Sequence, residues 1–264
     1  QLVGSQGFRT FLKIDDEFLY EPFRQTKGKE ITQKMKISTG ELKLSDSNNS
    51  LGIDVTIEYF PLVNLPVAGL VRKVSIKNQR EKSLKLEIID GLPHILPFGM
   101  NQHCIKFIAR HIEAMMRVDS IDGTPFFRLK QVPLDIPHVQ KIKGGNFYFT
   151  FQPNQKAILK DNYAIDPSLI FGVSGSFETP CIFANNSVEK ILTFKQMKEN
   201  KTPCTFTLLH QKITEGQEIT FYSFIGNSSS EEKLKEFKKL VLNETFVLKK
   251  RGENKKIIDE IENN

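Results

Sequence analysis

Apolar and polar side chains alternate with a period of two over most of the chain, which is typical of β-strands with one buried face. Residues 53–59 give the clearest example, with apolar side chains at the odd positions. The pattern recurs at residues 74–76 and 84–88, and the polar break at residues 77–82 predicts a hairpin turn between them. Further strands are predicted at residues 30–37, 126–129, 147–151, 169–173, 205–209 and 218–225. So many short strands predict a mainly β fold, a two-layer antiparallel sandwich.

One stretch within this β-rich sequence has the spacing of an amphipathic helix. Between Gln102 and Val118, apolar side chains recur every three or four residues, and charged side chains occupy the opposite face. Asn101 is placed to cap the N-terminus of such a helix. The sequence therefore predicts one helix of about four turns that buttresses the sandwich.

The C-terminal segment, residues 228–264, changes to helical patterning. It opens with two Ser residues that are each followed three positions later by Glu, which is a capping-box signature. Two apolar stripes follow, formed by Leu234, Phe237, Leu240 and Val241, and by Ile257, Ile258 and Ile261. We therefore expect a β-sandwich domain at residues 1–227 and a helical linker at residues 228–264. A closed sandwich has little need of these stripes, so we expect the linker to be loosely held or self-associating.

The amino-acid composition indicates which kinds of partner and which cellular compartment to expect. The 264 residues include 37 Lys and Arg and 31 Asp and Glu, and the basic residues are not clustered with aromatic ones as in nucleic-acid-binding proteins. No apolar run approaches the length of a membrane span. Cys104, Cys181 and Cys204 are far apart, which favours buried thiols in a reducing compartment. We therefore expect a cytoplasmic protein that binds neither nucleic acid nor membrane.

No motif of a catalytic centre occurs in the sequence. The histidines lack metal-binding spacing, and there is no nucleophile elbow, phosphate-binding loop or dinucleotide fingerprint. Asp90 leaves an apolar strand for a Gly-Pro turn, and we expect it to cap that turn rather than to transfer protons. Asp119, Asp122 and Asp135 lie in loop-like sequence and are expected to be solvated. We find no carboxylate pair of the kind that glycoside chemistry needs, so the chain itself is predicted to be inactive and without metal or cofactor.

The loop at residues 92–102 is the best candidate for contact with a ligand or a subunit. It is apolar, contains two prolines and ends in two amides. Such a surface suits a sugar subsite or a subunit contact, and a loop that only packs across the sandwich explains the pattern almost as well. The candidate carbohydrate-edge residues are His94, Phe98, Asn101 and Gln102. The absence of Trp counts against a free-standing sugar-binding module.

Several motifs in the middle of the chain resemble a known family. Residues 71–78, VRKVSIKN, resemble the N-terminal β-sandwich of inverting glycoside phosphorylases of the cellobiose and chitobiose phosphorylase type. Residues 90–93 (DGLP), 97–99 (PFG) and 143–148 (KGGNFY) resemble the longer relatives that act on β-glucans. The resemblance covers residues 60–151, and its motifs are structural rather than catalytic.

The resemblance implies a supersandwich like that of galactose-mutarotase-like domains. In the longer protein a helical linker would lead to an (α/α)6 barrel that carries the general acid and the phosphate site, and the sandwich would support dimerisation and lend loops to the active-site rim. Because the sequence begins at Gln1 without Met and closes on a helix-like segment, we expect it to be the front part of such a parent. The parent would be a glycosyltransferase that uses inorganic phosphate as co-substrate on a β-linked oligosaccharide.

Two interpretations remain open at this point. The first is a non-catalytic sandwich domain of a glycoside phosphorylase, whose partners would be the barrel of the same parent chain and a second copy. The second is a stand-alone carbohydrate-binding or aldose-epimerase-like domain. An epimerase needs a His and a Glu that face one sugar, and His94, His138 and His210 have no evident carboxylate partner in the sequence, which disfavours it.

Overall fold

The computed structural model describes residues 7–24, 30–133, 137–173 and 176–263. The strands in these ranges are β1 Arg9–Ile14, β2 Phe18–Tyr20, β3 Ile31–Ser38, β4 Glu41–Asn48, β5 Ile53–Leu62, β6 Ala68–Asn78, β7 Leu84–Leu92, β8 Met116–Ile121, β9 Thr124–Leu129, β10 Gly145–Gln152, β11 Ala157–Ile158, β12 Tyr163–Ala164, β13 Thr205–Ile213 and β14 Glu218–Ser228. The α-helices are α1 Gln102–Phe107, α2 Ala109–Ile112, α3 Ser168–Phe171, α4 Cys181–Asn185, α5 Val188–Leu192, α6 Glu231–Val241 and α7 Glu244–Glu262. Short 3-10 helices span Glu113–Met115 and Pro153–Gln155.

The strands form two antiparallel sheets. A five-stranded sheet, called here the small sheet, has the order β12-β13-β7-β1-β2. A nine-stranded sheet, the large sheet, has the order β3-β4-β5-β6-β14-β10-β9-β8, with β11 beside β10. Apolar side chains of both sheets meet between them: Val55 and Ile57 of β5 lie in one core cluster with Leu86 and Ile88 of β7. The predicted mainly β, two-layer antiparallel sandwich is confirmed.

Helices cover the outer faces of both sheets. On the small sheet, Phe11 and Phe206 pack with Ile170 of α3 and Phe183 of α4, and α5 completes this layer. The two central strands β1 and β7 of the small sheet are therefore buried on both faces. A strand of that kind has no face exposed to solvent, so a polar residue in its sequence does not indicate a solvent-exposed position.

The predicted hairpin turn at residues 77–82 is wrong. Strand β6 pairs with β5 on one side and with β14 on the other, which leaves no free edge for β7. The chain crosses instead from the large sheet to the small sheet. The buried side chain of Asn78 fixes this crossing, because its amide donates to the carbonyl oxygens of Lys82 at 2.8 Å and Thr214 at 3.1 Å.

The single four-turn helix predicted between Gln102 and Val118 is also wrong. Helix α1 stops at Ile108, whose φ of −129° interrupts the helical geometry, and only α2 and a 3-10 turn follow. From Met116 onward the chain is strand β8, which pairs along its whole length with β9. Strand pairing at the edge of the large sheet thus outweighs the helical periodicity of the last residues. The predicted cap is confirmed, since the Asn101 side chain accepts a hydrogen bond from the Cys104 backbone N–H.

Residues 169–173 were predicted as a strand, and most of this segment is the short helix α3 instead. A run of four or five apolar residues fits either structure by periodicity alone. Asp166 decides the outcome locally, because its carboxylate accepts hydrogen bonds from the backbone and the hydroxyl of Ser168. Ile170 and Phe171 then point onto the outer face of the small sheet and are buried.

Helices α6 and α7 pack on the large sheet. Leu234, Phe237 and Val241 are buried in its core cluster, and the Phe237 ring lies 5.7 Å from that of Phe147 and 5.8 Å from that of Phe149. The expectation that the linker is loosely held is therefore wrong for α6, and its self-association stays a prediction. At the far end of α7, Ile261 is exposed. The division of the chain into domains at residues 227 and 228 stays a prediction.

The cap of α6 also differs in detail from the predicted one. Its N-cap is Ser230, whose side chain accepts from the Lys233 backbone N–H, whereas the sequence signature pointed to the two preceding Ser residues. Among the cysteines, Cys104 and Cys204 are buried as expected and Cys181 is exposed. None of the described helices is both long and apolar enough to cross a membrane.

Candidate functional site

The loop at residues 92–102 is fixed to both layers of the sandwich. The Ile95 backbone N–H donates to the carbonyl of Pro203, just before β13, at 2.9 Å. Three residues later Phe98 joins the large sheet beside β9: its N–H donates to Phe127 at 3.1 Å, and its carbonyl accepts from Leu129 at 2.9 Å. These bonds hold the loop backbone in one conformation.

The loop does not bring its predicted site residues into one place. The His94 ring packs edge-on against Phe177, with ring centroids 4.6 Å apart, near the helices of the small sheet. Phe98 lies instead on the large sheet against Gly144, where an added Cβ would come within 2.8 Å of its ring. Burial lowers the pKa of His94 and the charge of Glu113 partly opposes this, so the imidazole is neutral at neutral pH.

The two amides at the end of the loop have different outcomes. Asn101 uses its side-chain oxygen to cap α1, with 2.9 Å to the Cys104 nitrogen. Gln102 is the first residue of α1, and its side chain lies outside what the structure describes. The exposed tip of the loop is Leu96, with 52% of its surface accessible. The Asn146 side chain holds this tip by donating to the Leu96 carbonyl at 2.6 Å.

Asp90 does not cap a turn as expected. It is fully buried within β7, and its carboxylate binds the Arg72 guanidinium of β6 at 2.8 Å. The Thr10 hydroxyl of β1 donates to the same carboxylate at 2.6 Å, and Arg72 also donates to the Tyr59 hydroxyl. Burial by itself would lower the pKa of Arg72, but the adjacent Asp90 carboxylate raises it. The group joins the two sheets and has no access to a substrate.

The other three loop-like carboxylates were expected to be solvated. Asp119 is instead held in an ion pair, because its carboxylate lies 2.6 Å from the Arg128 guanidinium and retains little exposure. Asp122 is exposed as expected. Asp135 lies outside the described residues.

A cavity of about 170 Å³ opens between three segments that are distant in sequence. The β8–β9 hairpin supplies one wall, residues 161–165 supply a second, and residues 196–198 supply the third. Val118, Tyr163 and Ile165 form a buried floor, and Ser120, Asp161 and Lys198 form an exposed rim. The cavity lies at one edge of the sandwich, where edge strand β8 of the large sheet and edge strand β12 of the small one both contribute to its lining.

Some polar side chains of the cavity already have hydrogen-bond partners within the protein, and others do not. Gln196 is occupied, since its amide donates to the Tyr163 carbonyl at 2.8 Å and accepts from the Ile165 N–H at 2.7 Å. Within the described part of the chain, the side chains of Ser120, Asp161 and Lys198 have no hydrogen-bond or ion-pair partner. A hydroxyl, a carboxylate and an ammonium group are thus free to bind a ligand.

His210 has a carboxylate partner that the sequence did not reveal. Its Nδ1 lies 2.6 Å from Oε1 of Glu189 in α5. Both side chains are on the solvent-exposed outer surface of the small sheet, and neither lines the cavity. In the described ranges, no three His, Cys, Asp or Glu side chains are grouped so that they could hold a metal ion.

Sequence reasoning missed the cavity because its walls come from three separate segments. One local signal was available: Asp122-Gly123 is a strong hairpin dipeptide between two apolar runs. Both residues adopt positive φ, 50° and 76°, as the tight turn between β8 and β9 requires. Nothing in the sequence indicates that residues 161–165 and 196–198 approach this hairpin.

Comparison with known proteins gives only distant structural similarity. No protein-family profile and no curated protein sequence matches this chain. A bacterial glucoamylase in complex with acarbose superposes with a TM-score of 0.43 at 10% identity, covering 89% of this chain and 28% of that one. A polysaccharide lyase gives 0.37 at 10% identity, covering 86% and 26%. A protein assigned as a kojibiose phosphorylase, from the human microbiome, gives 0.40 at 10% identity, covering 94% and 25%. The chain thus spans about a quarter of the length of these proteins, and similarity of this degree carries no conclusion about its activity.

Proposed function

We propose that the chain is a non-catalytic sandwich domain of a carbohydrate-active protein of the glycoside phosphorylase type. The parent would transfer a glycosyl group from a β-glucoside to inorganic phosphate. The proposal is supported by the resemblance of residues 60–151 to the N-terminal sandwiches of that family, together with the two-layer antiparallel fold. The domain would need no cofactor of its own and would act in the cytoplasm.

The observation that carries the proposal is the anchored loop at residues 92–102. Its backbone is bonded to both sheets, while its tip at Leu96 stays exposed next to the Asn146 amide. A surface that is already rigid loses little conformational entropy on binding, which favours contact with a sugar chain or a protein neighbour. In the proposed parent, these neighbours are the β-linked oligosaccharide at the active-site rim, the (α/α)6 barrel and a second copy of the chain.

A turnover assay tests the non-catalytic role. The chain is incubated with β-linked glucose oligomers and phosphate, and in the reverse direction with glucose 1-phosphate, while phosphate is measured. We expect no turnover above the buffer control in either direction. Turnover that a point change within this chain abolishes would contradict the proposal.

A binding assay tests the role of the loop. The chain is titrated with soluble β-linked gluco-oligosaccharides of increasing length, and Leu96→Asp is compared with Met35→Asp, which alters a residue of similar exposure on edge strand β3. We expect affinity to rise with oligosaccharide length and to fall at least fivefold in Leu96→Asp, because a charge replaces apolar contact area. Equal behaviour of the two variants would show that the loop is not the contact edge.

The aldose-epimerase alternative gains a His–Glu pair from the structure, at His210 and Glu189. That pair lies on an exposed outer surface, whereas acid and base catalysis on a sugar needs both groups to face the same bound ring. A stand-alone carbohydrate-binding domain stays an alternative. An oligosaccharide affinity that does not increase when the proposed catalytic barrel is supplied would favour it.

A further inference from the structure

We infer that the cavity between β8, β12 and residues 196–198 is a binding site for a single neutral sugar ring. It is separate from the loop at residues 92–102. The inference rests on the proposed function in one respect only, which is that the ligand is a carbohydrate. Size, lining, charge and rigidity of the cavity each support it.

The size of the cavity selects one ring. A cavity of about 150 Å³ in an engineered protein holds one benzene molecule, and drug-sized ligands occupy cavities of about 300 Å³ or more. The cavity here measures about 170 Å³. It therefore accommodates one six-membered ring with its substituents directed toward the opening, and it excludes a second linked ring from the floor.

The lining matches the two-sided chemistry of a pyranose. A sugar ring has apolar C–H faces and a polar rim of hydroxyl groups, so it binds best where apolar walls meet hydrogen-bonding groups. The floor supplies the apolar side through Val118, Tyr163 and Ile165. The hydroxyl group of Tyr163 is turned away, since it donates to the Leu159 carbonyl at 2.9 Å. The free groups of Ser120 and Asp161 stand at the rim, where the sugar hydroxyls would lie.

The charges of the rim favour a neutral ligand. Asp161 contributes one carboxylate and Lys198 one ammonium group. The second carboxylate, Asp119, is paired with Arg117 and Arg128, and Arg128 also binds Glu231, so these four charges balance. The Asp161 carboxylate would repel an anionic sugar, and the Lys198 ammonium group would repel a cationic one. Neutral hydroxyl groups can both donate to the carboxylate and accept from the ammonium group without either penalty.

The three walls are joined to one another by backbone hydrogen bonds. The Val118 N–H donates to the Lys198 carbonyl at 2.8 Å, and the Asp161 N–H donates to the Gly123 carbonyl at 2.8 Å. The Gln196 side chain joins the third wall to the second through Tyr163 and Ile165. The cavity is thus formed before a ligand arrives, which lowers the entropic cost of binding a small molecule.

The test is a titration of the whole chain with D-glucose, D-galactose and glucose 6-phosphate, followed by saturation-transfer and protein-observed NMR. The key variant is Asp161→Asn. Asp161 has a positive φ of 57°, which Asn adopts readily, so the backbone is preserved. The matched control is Asp122→Asn, because Asp122 also has a positive φ, 50°, and an exposed carboxylate but does not line the cavity.

We expect saturable binding of at least one neutral hexose, with shifts at Val118 and Ile165. Affinity should fall about tenfold in Asp161→Asn, as is typical for loss of a charge-assisted hydrogen bond, and should not change in Asp122→Asn. A lack of saturable hexose binding would overturn the inference, as would equal losses in the two variants or tighter binding of glucose 6-phosphate than of glucose. The loop assay uses long oligosaccharides and Leu96→Asp, so failure of either test is distinguishable from failure of the other.

Discussion

Strand β7 has a buried carboxylate on each of its two faces, and the faces neutralise these charges differently. Asp90 points between the sheets, where Arg72 of the large sheet binds it. Glu87 points to the opposite face, where Lys13 of β1 lies 2.7 Å away and the Val188 N–H of α5 donates to it at 3.2 Å. Both carboxylates sit on β7 directly opposite a polar residue of β1, since Thr10 pairs with Asp90 and Lys13 with Glu87.

The two faces differ in what the cation binds besides its carboxylate. On the inner face, the side chains of Thr10 and Tyr59 surround Arg72 and Asp90. On the outer face, the Lys13 ammonium also donates to the carbonyl oxygens of Phe183 at 3.0 Å and Asn186 at 2.7 Å, at the end of α4. The inner pair therefore holds one sheet on the other, and the outer pair holds the helical layer on the small sheet. The charged residues in the sequence of β7 therefore connect layers of the fold, and they do not indicate a face exposed to solvent.

The largest effect is expected from breaking the inner pair. In Asp90→Ala the Arg72 guanidinium would stay buried without its counter-charge, which typically costs about 3–5 kcal/mol of the free energy of unfolding. Urea denaturation followed by circular dichroism measures it. Asp16→Ala, which removes an exposed carboxylate paired with Lys85, serves as the control and should change stability little. Equal stability of the two variants would show that the inner pair does not hold the sheets together.

A smaller effect is expected on the outer face. Lys13→Met would leave Glu87 buried without its cation and would remove two hydrogen bonds to the end of α4. We expect a cost near the lower end of the same range, about 3 kcal/mol, because the Lys13 side chain retains 7% exposure against 2% for Arg72. The double variant Lys13→Met/Glu87→Leu removes both charges, so most of this loss should be regained. Urea denaturation of the two single variants and the double variant gives their coupling energy. Strictly additive losses would mean that the two side chains do not act as a pair.

An acid-dependent effect is expected where Asp166 joins the helical layer to Lys201, at 2.6 Å. Burial would raise the pKa of Asp166, but the hydrogen bonds from Lys201 and Ser168 outweigh it, so the pKa is lowered from 3.8. The ionised group therefore stabilises the fold above pH 3.8, and this contribution is lost as the pH falls through the lowered value. Asp166→Asn should cost about 1–2 kcal/mol at pH 7 and flatten the acid limb of a stability–pH profile. An unchanged acid limb would exclude this role.

The smallest effect is expected at the exposed pair of His210 and Glu189. Glu189 lies in the first turn of α5, and hydrogen bonding to its own backbone N–H, then to His210, lowers its pKa. Solvent screens such a pair, so Glu189→Gln should cost only about 0.2–1 kcal/mol. Thermal unfolding in low and high salt measures it. A loss as large as that of Lys13→Met would mean that this surface is less solvated than the structure indicates.

Strands that bury only one of their two faces could be predicted from the sequence. Strand β5 follows the alternation at residues 53–59, with Ile53, Val55 and Ile57 buried between the sheets. The cap of α1 at Asn101 was predicted as well, because a cap depends on neighbours within three residues. Local sequence was sufficient in both cases. The cap needs only a backbone N–H that is close in sequence, and the alternating strand can bury its apolar face against any apolar surface.

Other features depend on contacts between distant segments, and the sequence alone did not determine them. Asp90 was assigned to a turn because its partner Arg72 lies in the other sheet. The crossing after β6 and the strand at Met116 follow from which sheet edges were free to pair. The loop was predicted as a surface feature, but the sequence could not show that His94 and Phe98 diverge to different layers.

The sequence by itself determined the class of fold, because the period of apolar side chains decides which surfaces each strand can bury. Only the tertiary structure decided where the polar residues lie, because burial of a charge depends on a partner from another layer. The same holds for the cavity. Ser120, Asp161 and Lys198 are unremarkable surface residues in sequence, and they share one opening only because the edges of two sheets meet there.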